Sequence, residues 1–261
     1  MPKFAANLTM LFNEMEFMDR FAAAAKAGFR GVEYLFPYPY PKEALAEALS
    51  ENGLAQVLHN LPAGDWAKGE RGIACLPGRE GEFQDGVGTA IEYARALKCR
   101  KLNCLVGITP AGIDPARVEK TVAENLRFAA RALDAAGIQL LVEPVNTYDI
   151  PGFHLSRTNQ TLDLFERVGE PNLWLQYDIY HMQRTEGELA ATITRHLSRI
   201  AHMQLADNPG RNEPGTGEIN YEFLFQHIDN CGYAGWIGCE YKPRTSTVEG
   251  LGWVAHAAVR N

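Results

Sequence analysis

The chain has 261 residues, of which 46% are apolar, 22% charged and 10% aromatic, an ordinary globular balance with ample length for a hydrophobic core. Its formal net charge of −7 argues against a polyanion such as DNA as the main partner, and no apolar run is long enough to span a bilayer. The five cysteines form no C-x-x-C pair, which favours reduced thiols in a cytoplasmic protein.

Short apolar runs alternate with helical patterns from one end of the chain to the other. Phe17, Phe21 and Ala24 recur at the steps of one helical face, and residues 118–133 do the same before Gly137, which is placed to end that helix. The candidate strands, in chain order, are FAANL (4–8), GVEYL (31–35), AQVLHN (55–60), KLNCLV (101–106), QLLVE (139–143), LWLQYD (173–178), AHMQLA (201–206) and WIGCE (236–240).

Eight strand–helix units without a linker predict an α/β fold, a (β/α)₈ TIM barrel forming a single domain over residues 1–261. A doubly wound open sheet remains an alternative, although the G-x-G-x-x-G signature of its dinucleotide-binding version is missing after the early strands. A pattern shared by residues 27–37 and 231–243 runs Gly–aromatic, turn, strand and Glu–Tyr, and it places Glu33 and Glu240 at equivalent strand ends.

Oxygen-bearing side chains stand at the ends of the last four predicted strands, namely Glu143, Asp178, Gln204 and Glu240. Their separations of 35, 26 and 36 residues each match about one strand–helix unit, so they should converge at the catalytic end of a barrel. Three clustered carboxylates repel one another unless a divalent cation lies between them, and oxygen ligands favour Mg²⁺ or Mn²⁺. The simpler interpretation of Asp178 is that it caps a helix beginning near His181.

Five long stretches carry a resemblance to a known family. They are HNLPAGDWAKGERGIACLPGRE (59–80), EPVNTYDIPGFHL (143–155), QYDIYHMQRTEGEL (176–189), ADNPGRNEPGTGEINY (206–221) and GWIGCEYKP (235–243). Through them, essentially the whole chain resembles the hydroxypyruvate isomerases within the xylose-isomerase-like group of metal-dependent TIM barrels. The resemblance implies that Glu143 and Glu240 are an acid/base pair and that Asp178 and Gln204 complete the metal site. Many members of the wider group carry His at the position of Gln204, which leaves the identity of the metal open.

The reaction implied by this resemblance interconverts hydroxypyruvate and tartronate semialdehyde (2-hydroxy-3-oxopropanoate). A proton leaves carbon 3 and a proton arrives at carbon 2, which requires a stabilised enediolate and two flanking carboxyl groups. We expect Glu143 and Glu240 to exchange the proton from opposite sides of the barrel mouth, with the direction of transfer left open.

Cationic and imidazole side chains are expected to bind the carboxylate and oxygens of a small-molecule substrate. His181, three residues after Asp178, and His59, near the end of the third strand, are candidates for this role. Arg211 lies in a Gly/Pro-rich loop after Gln204 and suits a bidentate contact with a carboxylate. Arg71, Arg79 and Lys242 are weaker candidates, since surface salt bridges explain them equally well.

The Gly-rich segment at residues 61–79 is long for a connection between a strand and a helix, so we interpret it as a lid over the site. Trp66 and Arg71 lie within it, and packing of Trp66 against a neighbouring subunit is the alternative. The resemblance also makes a homo-oligomer possible.

Three other functions remain as alternatives. An isomerase or epimerase of a longer sugar acid or ketose, such as a 2-oxo-tetronate isomerase, would use the same metal site. A DNA-repair nuclease would require several metal-binding histidines and a basic face. A non-catalytic binding protein for sugar acids would bind its ligand without a metal.

Overall fold

The computed structural model describes residues 2–254, and within them eight parallel strands close into a barrel in chain order. The strands are β1 Lys3–Asn7, β2 Gly31–Glu33, β3 Ala55–Asn60, β4 Lys101–Cys104, β5 Gln139–Val142, β6 Leu173–Asp178, β7 Ile200–Leu205 and β8 Trp236–Cys239. The predicted (β/α)₈ barrel is therefore confirmed, and each strand lies within two residues of its expected bounds. Met1 and residues 255–261 of the predicted domain lie outside the described residues.

Eight α-helices follow the strands and surround the barrel in the described part of the chain. They are α1 Arg20–Lys26, α2 Lys42–Glu51, α3 Glu80–Ala96, α4 Pro115–Ala135, α5 Thr158–Val168, α6 Ile179–Thr185, α7 Leu189–His196 and α8 Tyr221–Asn230. The predicted 118–133 pattern is the buried face of α4, which begins where Asp114 accepts a hydrogen bond from the N–H of Ala116 at 3.2 Å. It ends two residues before Gly137, which adopts φ +70°.

The barrel interior has an apolar lower part and a polar upper part. Ala5, Val57, Leu58 and Leu141 pack together near the amino-terminal ends of the strands, beside Trp174, Ala201 and Trp236. Above them, at the carboxyl ends, the inward-facing side chains are mostly amides and carboxylates. Because successive strand residues point to opposite faces, the outward positions supply the apolar core between the strands and the helices.

Three long loops lie at the carboxyl ends of the strands, and we call this end the barrel mouth. They join β3 to α3 over residues 61–79, with a short 3₁₀ turn at Trp66–Lys68, β5 to α5 over residues 143–157, and β7 to α8 over residues 206–220. Among the helices of residues 2–254, none combines the length and the apolar character that a membrane crossing requires.

Candidate active site

Three carboxylates and an imidazole converge at the barrel mouth. Glu143 and Glu240 directly follow β5 and β8, Asp178 is the last residue of β6, and His181 lies in the first turn of α6. All four are buried, and one ligand atom from each lies within 4.8 Å of the others. The barrel geometry thus brings together three of the four residues predicted at successive strand ends, together with His181.

Asp178 both caps a helix and faces the site. Its Oδ1 accepts hydrogen bonds from the backbone N–H of Tyr180 at 2.8 Å and of His181 at 3.4 Å, as expected for the residue preceding α6. Its Oδ2 is buried and has no hydrogen-bond donor among the described residues, apart from any proton carried by the adjacent Glu240 carboxyl group. A buried carboxylate oxygen without a donor fits a cation ligand.

Burial raises the pKa values of the three carboxyl groups, so they keep their protons at a higher pH than exposed carboxyl groups do. Loss of hydration, reinforced by the charges of Glu240 and Asp178, raises the pKa of Glu143 well above 4.5. Burial likewise raises the pKa of Glu240 to about 8, despite the opposing charge of Arg211. The pKa of Asp178 is also raised by burial. Such a cluster either holds protons or needs additional positive charge.

Arg211 supplies positive charge to the cluster from the β7–α8 loop. Its Nη2 donates to Oε2 of Glu240 at 2.9 Å and lies 3.9 Å from Oδ2 of Asp178. The guanidinium also lies over the ring of Tyr180, 5.1 Å from its centroid. The structure therefore brings Arg211 to the site, in keeping with the expectation from its loop.

Asp207 organises the loop that carries Arg211. This buried carboxylate accepts hydrogen bonds from five backbone N–H groups, those of Asn208, Gly215, Thr216, Gly217 and Ile219. Arg211 itself has φ +56°, a backbone conformation that costs energy for a residue with a side chain and persists only when its surroundings fix it. The Asp207 contacts provide that constraint.

The protonation of His181 follows from its neighbour Asn146. The Asn146 side-chain oxygen accepts from the N–H of Asp149 at 2.8 Å, so its nitrogen is the group 2.6 Å from Nδ1 of His181. Nδ1 is therefore an acceptor, and the neutral ring carries its proton on Nε2. That nitrogen lies 3.6 Å from Oδ2 of Asp178 and 3.9 Å from Oε1 of Glu143. Burial and nearby arginines lower the pKa of His181 well below 6.5, so the ring is a neutral donor.

Gln204 lies beside Asp178 in the strand register, and both ends of its amide are hydrogen-bonded inside the barrel. Its oxygen accepts a hydrogen bond from Nε2 of Gln176 at 2.7 Å, and its nitrogen donates to Oε1 of Glu33 at 2.8 Å. The predicted fourth ligand is thus adjacent to the cluster, with one lone pair of its oxygen already used.

His59 does not face this site. In the strand register it pairs with Leu102, which belongs to the core between strands and helices, whereas its neighbour Asn60 pairs with the inward-facing Asn103. The buried imidazole lies near the backbone of Ala90 in α3, and loss of hydration lowers its pKa to about 3. The expectation that His59 binds substrate is corrected by the alternation of side chains along β3.

The β3–α3 loop has an anchored part and a projecting part. The N–H of Gly72 donates a hydrogen bond to the Ala63 carbonyl at 3.0 Å. Gly72 also packs closely against the chain after β4, where an added Cβ would lie 2.0 Å from the backbone oxygen of Leu105. Beyond this base, the guanidinium of Arg71 lies 4.0 Å from the ring centroid of Trp66. Trp66 also touches Phe36, with the ring centroids 5.1 Å apart. Both predicted lid residues therefore lie in the projecting part.

Two asparagines that hold the glutamates were missed by the sequence analysis. Asn103 donates to Oε2 of Glu143 at 3.1 Å, and Asn7 donates to Oε1 of Glu240 at 3.3 Å. Asn7 stands one position before the end of its predicted strand, so a search of every strand end for polar residues would have included it, whereas Asn103 lies in the middle of the predicted strand 101–106. Asn146 gave no such signal, since it lies in a loop.

Comparison with known proteins shows similarity to one family and to several isomerases. The profile of the xylose isomerase-like TIM barrel family matches residues 21–257. Hydroxypyruvate isomerase of Escherichia coli (strain K12) is 59% identical over 97% of this chain and 98% of the relative, and a 2-oxo-tetronate isomerase of Cupriavidus necator is 49% identical over the same shares. A Brucella melitensis crystal structure described as an AP endonuclease of family 2 has a TM-score of 0.95 and 47% identity, covering 98% of this chain and 99% of that one.

Proposed function

The chain belongs to the xylose isomerase-like TIM barrel family, and we propose that it is a hydroxypyruvate isomerase, interconverting hydroxypyruvate and 2-hydroxy-3-oxopropanoate. The observation that carries the proposal is the buried set of Glu143, Asp178 and Glu240 at the barrel mouth, with Arg211 among them. This set provides both proton-transferring carboxyl groups and a cation for the substrate carboxylate. The 59% identity to the Escherichia coli enzyme supports the choice of substrate.

In the proposed reaction, a C–H proton leaves carbon 3 of hydroxypyruvate and a proton is added to carbon 2, while the hydroxyl proton moves from the oxygen on carbon 3 to that on carbon 2. One of Glu143 and Glu240 accepts the first proton and the other donates the second. The placement of the two glutamates supports this division, because their carboxyl groups reach one small space, with ligand atoms within 4.8 Å of one another. Asn103 and Asn7 hold the two side chains in place.

Glu143, Asp178, Gln204 and Glu240 would hold a divalent cation, Mg²⁺ or Mn²⁺, that acts as a Lewis acid toward the substrate oxygens. The fit rests on the buried Oδ2 of Asp178, which accepts no hydrogen bond from an N–H group among the described residues, and on the mutual repulsion of the carboxylates. His181 is assigned a different part, because its Nε2 carries a proton and can donate to a substrate oxygen.

Arg211 binds the substrate carboxylate in this proposal. Its guanidinium lies at the site already, where Glu240 and Asp178 hold it by ion pairs and Tyr180 by ring contact. A planar guanidinium can donate two parallel hydrogen bonds to the two oxygens of a carboxylate in a bidentate contact. The projecting lid residues Trp66 and Arg71 would close over the bound substrate and limit water access to the enediolate.

A four-carbon 2-oxo acid is the second candidate substrate, because 2-oxo-tetronate isomerases reach 49% identity over nearly the whole chain. The two candidates differ by one hydroxymethylene group, so the space between the carboxylates and the lid decides between them. Measuring kcat/KM for both substrates with the same preparation separates these alternatives.

The test is an isomerase assay of purified protein with hydroxypyruvate, after chelator treatment and after return of Mg²⁺ or Mn²⁺. We expect activity to disappear with the chelator and to return with a cation. Glu240→Gln should lower kcat by roughly 10²- to 10⁴-fold, whereas the control Glu47→Gln, on the exposed face of α2, should leave it unchanged. In D₂O, solvent deuterium should enter carbon 2, and complete retention of the substrate hydrogen would exclude proton transfer.

A further inference from the structure

Glu33 lies at the centre of a buried hydrogen-bond network that reaches Glu240 of the candidate site through Asn7. It is the last residue of β2 and has no exposed surface. Its carboxylate contacts three side chains, with Nε2 of His202 at 2.6 Å, Nε2 of Gln204 at 2.8 Å and Nδ2 of Asn7 at 3.1 Å. None of the proposed proton-transfer steps uses this group.

The barrel leaves room for this carboxylate at a specific place. Gly238 in β8 faces the interior two residues before Glu240, and a Cβ built there would lie 2.2 Å from Oε1 of Glu33. Any side chain at position 238 would therefore displace the carboxylate. The missing side chain at position 238 thus allows Glu33 to reach Gln204 of β7 across the barrel, while Asn7 lies beside it on the neighbouring strand β1.

The hydrogen bond from Gln204 to Glu33 fixes the orientation of the Gln204 amide group. A carboxylate can accept hydrogen bonds but cannot donate them. The nitrogen of the Gln204 amide, which donates, therefore faces Glu33. The amide oxygen of Gln204 must then point away from Glu33, and it keeps a second lone pair beside its bond from Gln176. A glutamine at a cation site is useful only with its oxygen presented, since its NH₂ group cannot be a ligand.

We propose that Glu33 is a positioning residue that orients Gln204 so that its side-chain oxygen, rather than its nitrogen, is available to a divalent cation held by Glu143, Asp178 and Glu240. Asn7 extends the same arrangement, because its nitrogen bonds both Glu33 and Oε1 of Glu240. This inference rests on the proposed metal site. It explains how a neutral amide can complete a set of ligands that is otherwise made of carboxylates.

The test measures Mn²⁺ affinity by calorimetry and by electron paramagnetic resonance, without substrate. Glu33→Gln should weaken Mn²⁺ binding by roughly 10- to 100-fold, the usual effect of losing a partner that orients a ligand. The same substitution in a Gln204→Ala background should change the affinity by less than about twofold, because the Gln204 amide that Glu33 orients is then absent. His202→Gln is the matched control, since it alters the network while leaving both amide bonds to Glu33, and it should bind Mn²⁺ like the wild type.

Three outcomes would overturn the proposal. An equal loss of affinity from Glu33→Gln with and without Gln204 would mean that Glu33 acts on the fold in general. Unchanged Mn²⁺ affinity in Glu33→Gln, with wild-type binding intact, would refute the positioning role while leaving the metal site standing. Wild-type protein that binds no Mn²⁺ would refute both. If Glu33→Gln does not fold by circular dichroism, Glu33→Asp, whose shorter carboxylate withdraws from Gln204, enters the same comparison.

Discussion

Raising the pH of the metal-free protein should lower its free energy of unfolding, because the buried carboxyl groups at the barrel mouth hold protons that unfolded carboxyl groups release. Glu240 has its pKa raised from 4.5 to about 8, chiefly by burial. A group whose pKa is higher in the folded state contributes fully to stability below the unfolded pKa, and this contribution is lost as the pH rises through the folded pKa. The relevant window therefore runs from about pH 4.5 to about pH 8.

The magnitude follows from the size of this shift. At about 1.4 kcal/mol per pKa unit, the difference between 4.5 and about 8 corresponds to about 5 kcal/mol for Glu240 alone. Burial shifts the pKa values of Glu143 and Asp178 in the same direction. A typical domain has a total stability of roughly 5–15 kcal/mol, which makes this effect large enough to measure.

The assay is denaturant unfolding in the presence of chelator at several pH values across this window, followed by tryptophan fluorescence. Glu240→Gln removes one titrating group, so its stability should fall less steeply with pH than that of the wild type. Saturating Mn²⁺ should also reduce the loss at high pH, since a ligand of the folded state stabilises it. If the wild type and Glu240→Gln have the same pH dependence, the assignment of this titration to Glu240 is wrong.

Three further predictions concern the surroundings of the site. Arg211→Met should raise the KM for hydroxypyruvate by roughly 10- to 100-fold, the cost of a lost charged contact, and a fall in kcat with KM unchanged would contradict its role in binding. Asp207→Asn should accelerate amide hydrogen exchange across residues 208–219, because five N–H groups lose a charged acceptor, and unchanged protection would refute that role. Gly72→Ala should lower the free energy of unfolding, measured with denaturant, by about 3 kcal/mol or more, because φ is +118° and the added Cβ meets Leu105. The control Gly69→Ala has φ +92° and open space around the added Cβ, so it should lower the free energy of unfolding by about 1 kcal/mol.

The fold was predictable because its signals are local. Apolar runs separated by helical patterns identified all eight strands, and the bounds of β3 and β6 agree with the prediction at both ends. Strand ends in a parallel barrel meet at one mouth, so the convergence of Glu143, Asp178 and Glu240 followed from topology alone.

Side-chain direction was harder to predict, for a physical reason. In β3 both faces are buried, so hydrophobic alternation does not distinguish the inward Asn60 from the outward His59. The orientation of the Gln204 amide depends on Glu33, which lies 171 positions away in the sequence. Such long-range hydrogen bonds leave no periodic pattern in the chain.

The polar upper part of the barrel restricts how this chain can diverge. A single residue inserted into or deleted from β6 or β8 would turn Asp178 or Glu240 toward the apolar helix layer, where a carboxylate has no partner. Changes of length are therefore expected to accumulate in the loops among functional descendants, while the strands vary only by replacement at outward positions. New substrate preferences would then arise by remodelling the lid and the β7–α8 loop above an unaltered set of acids.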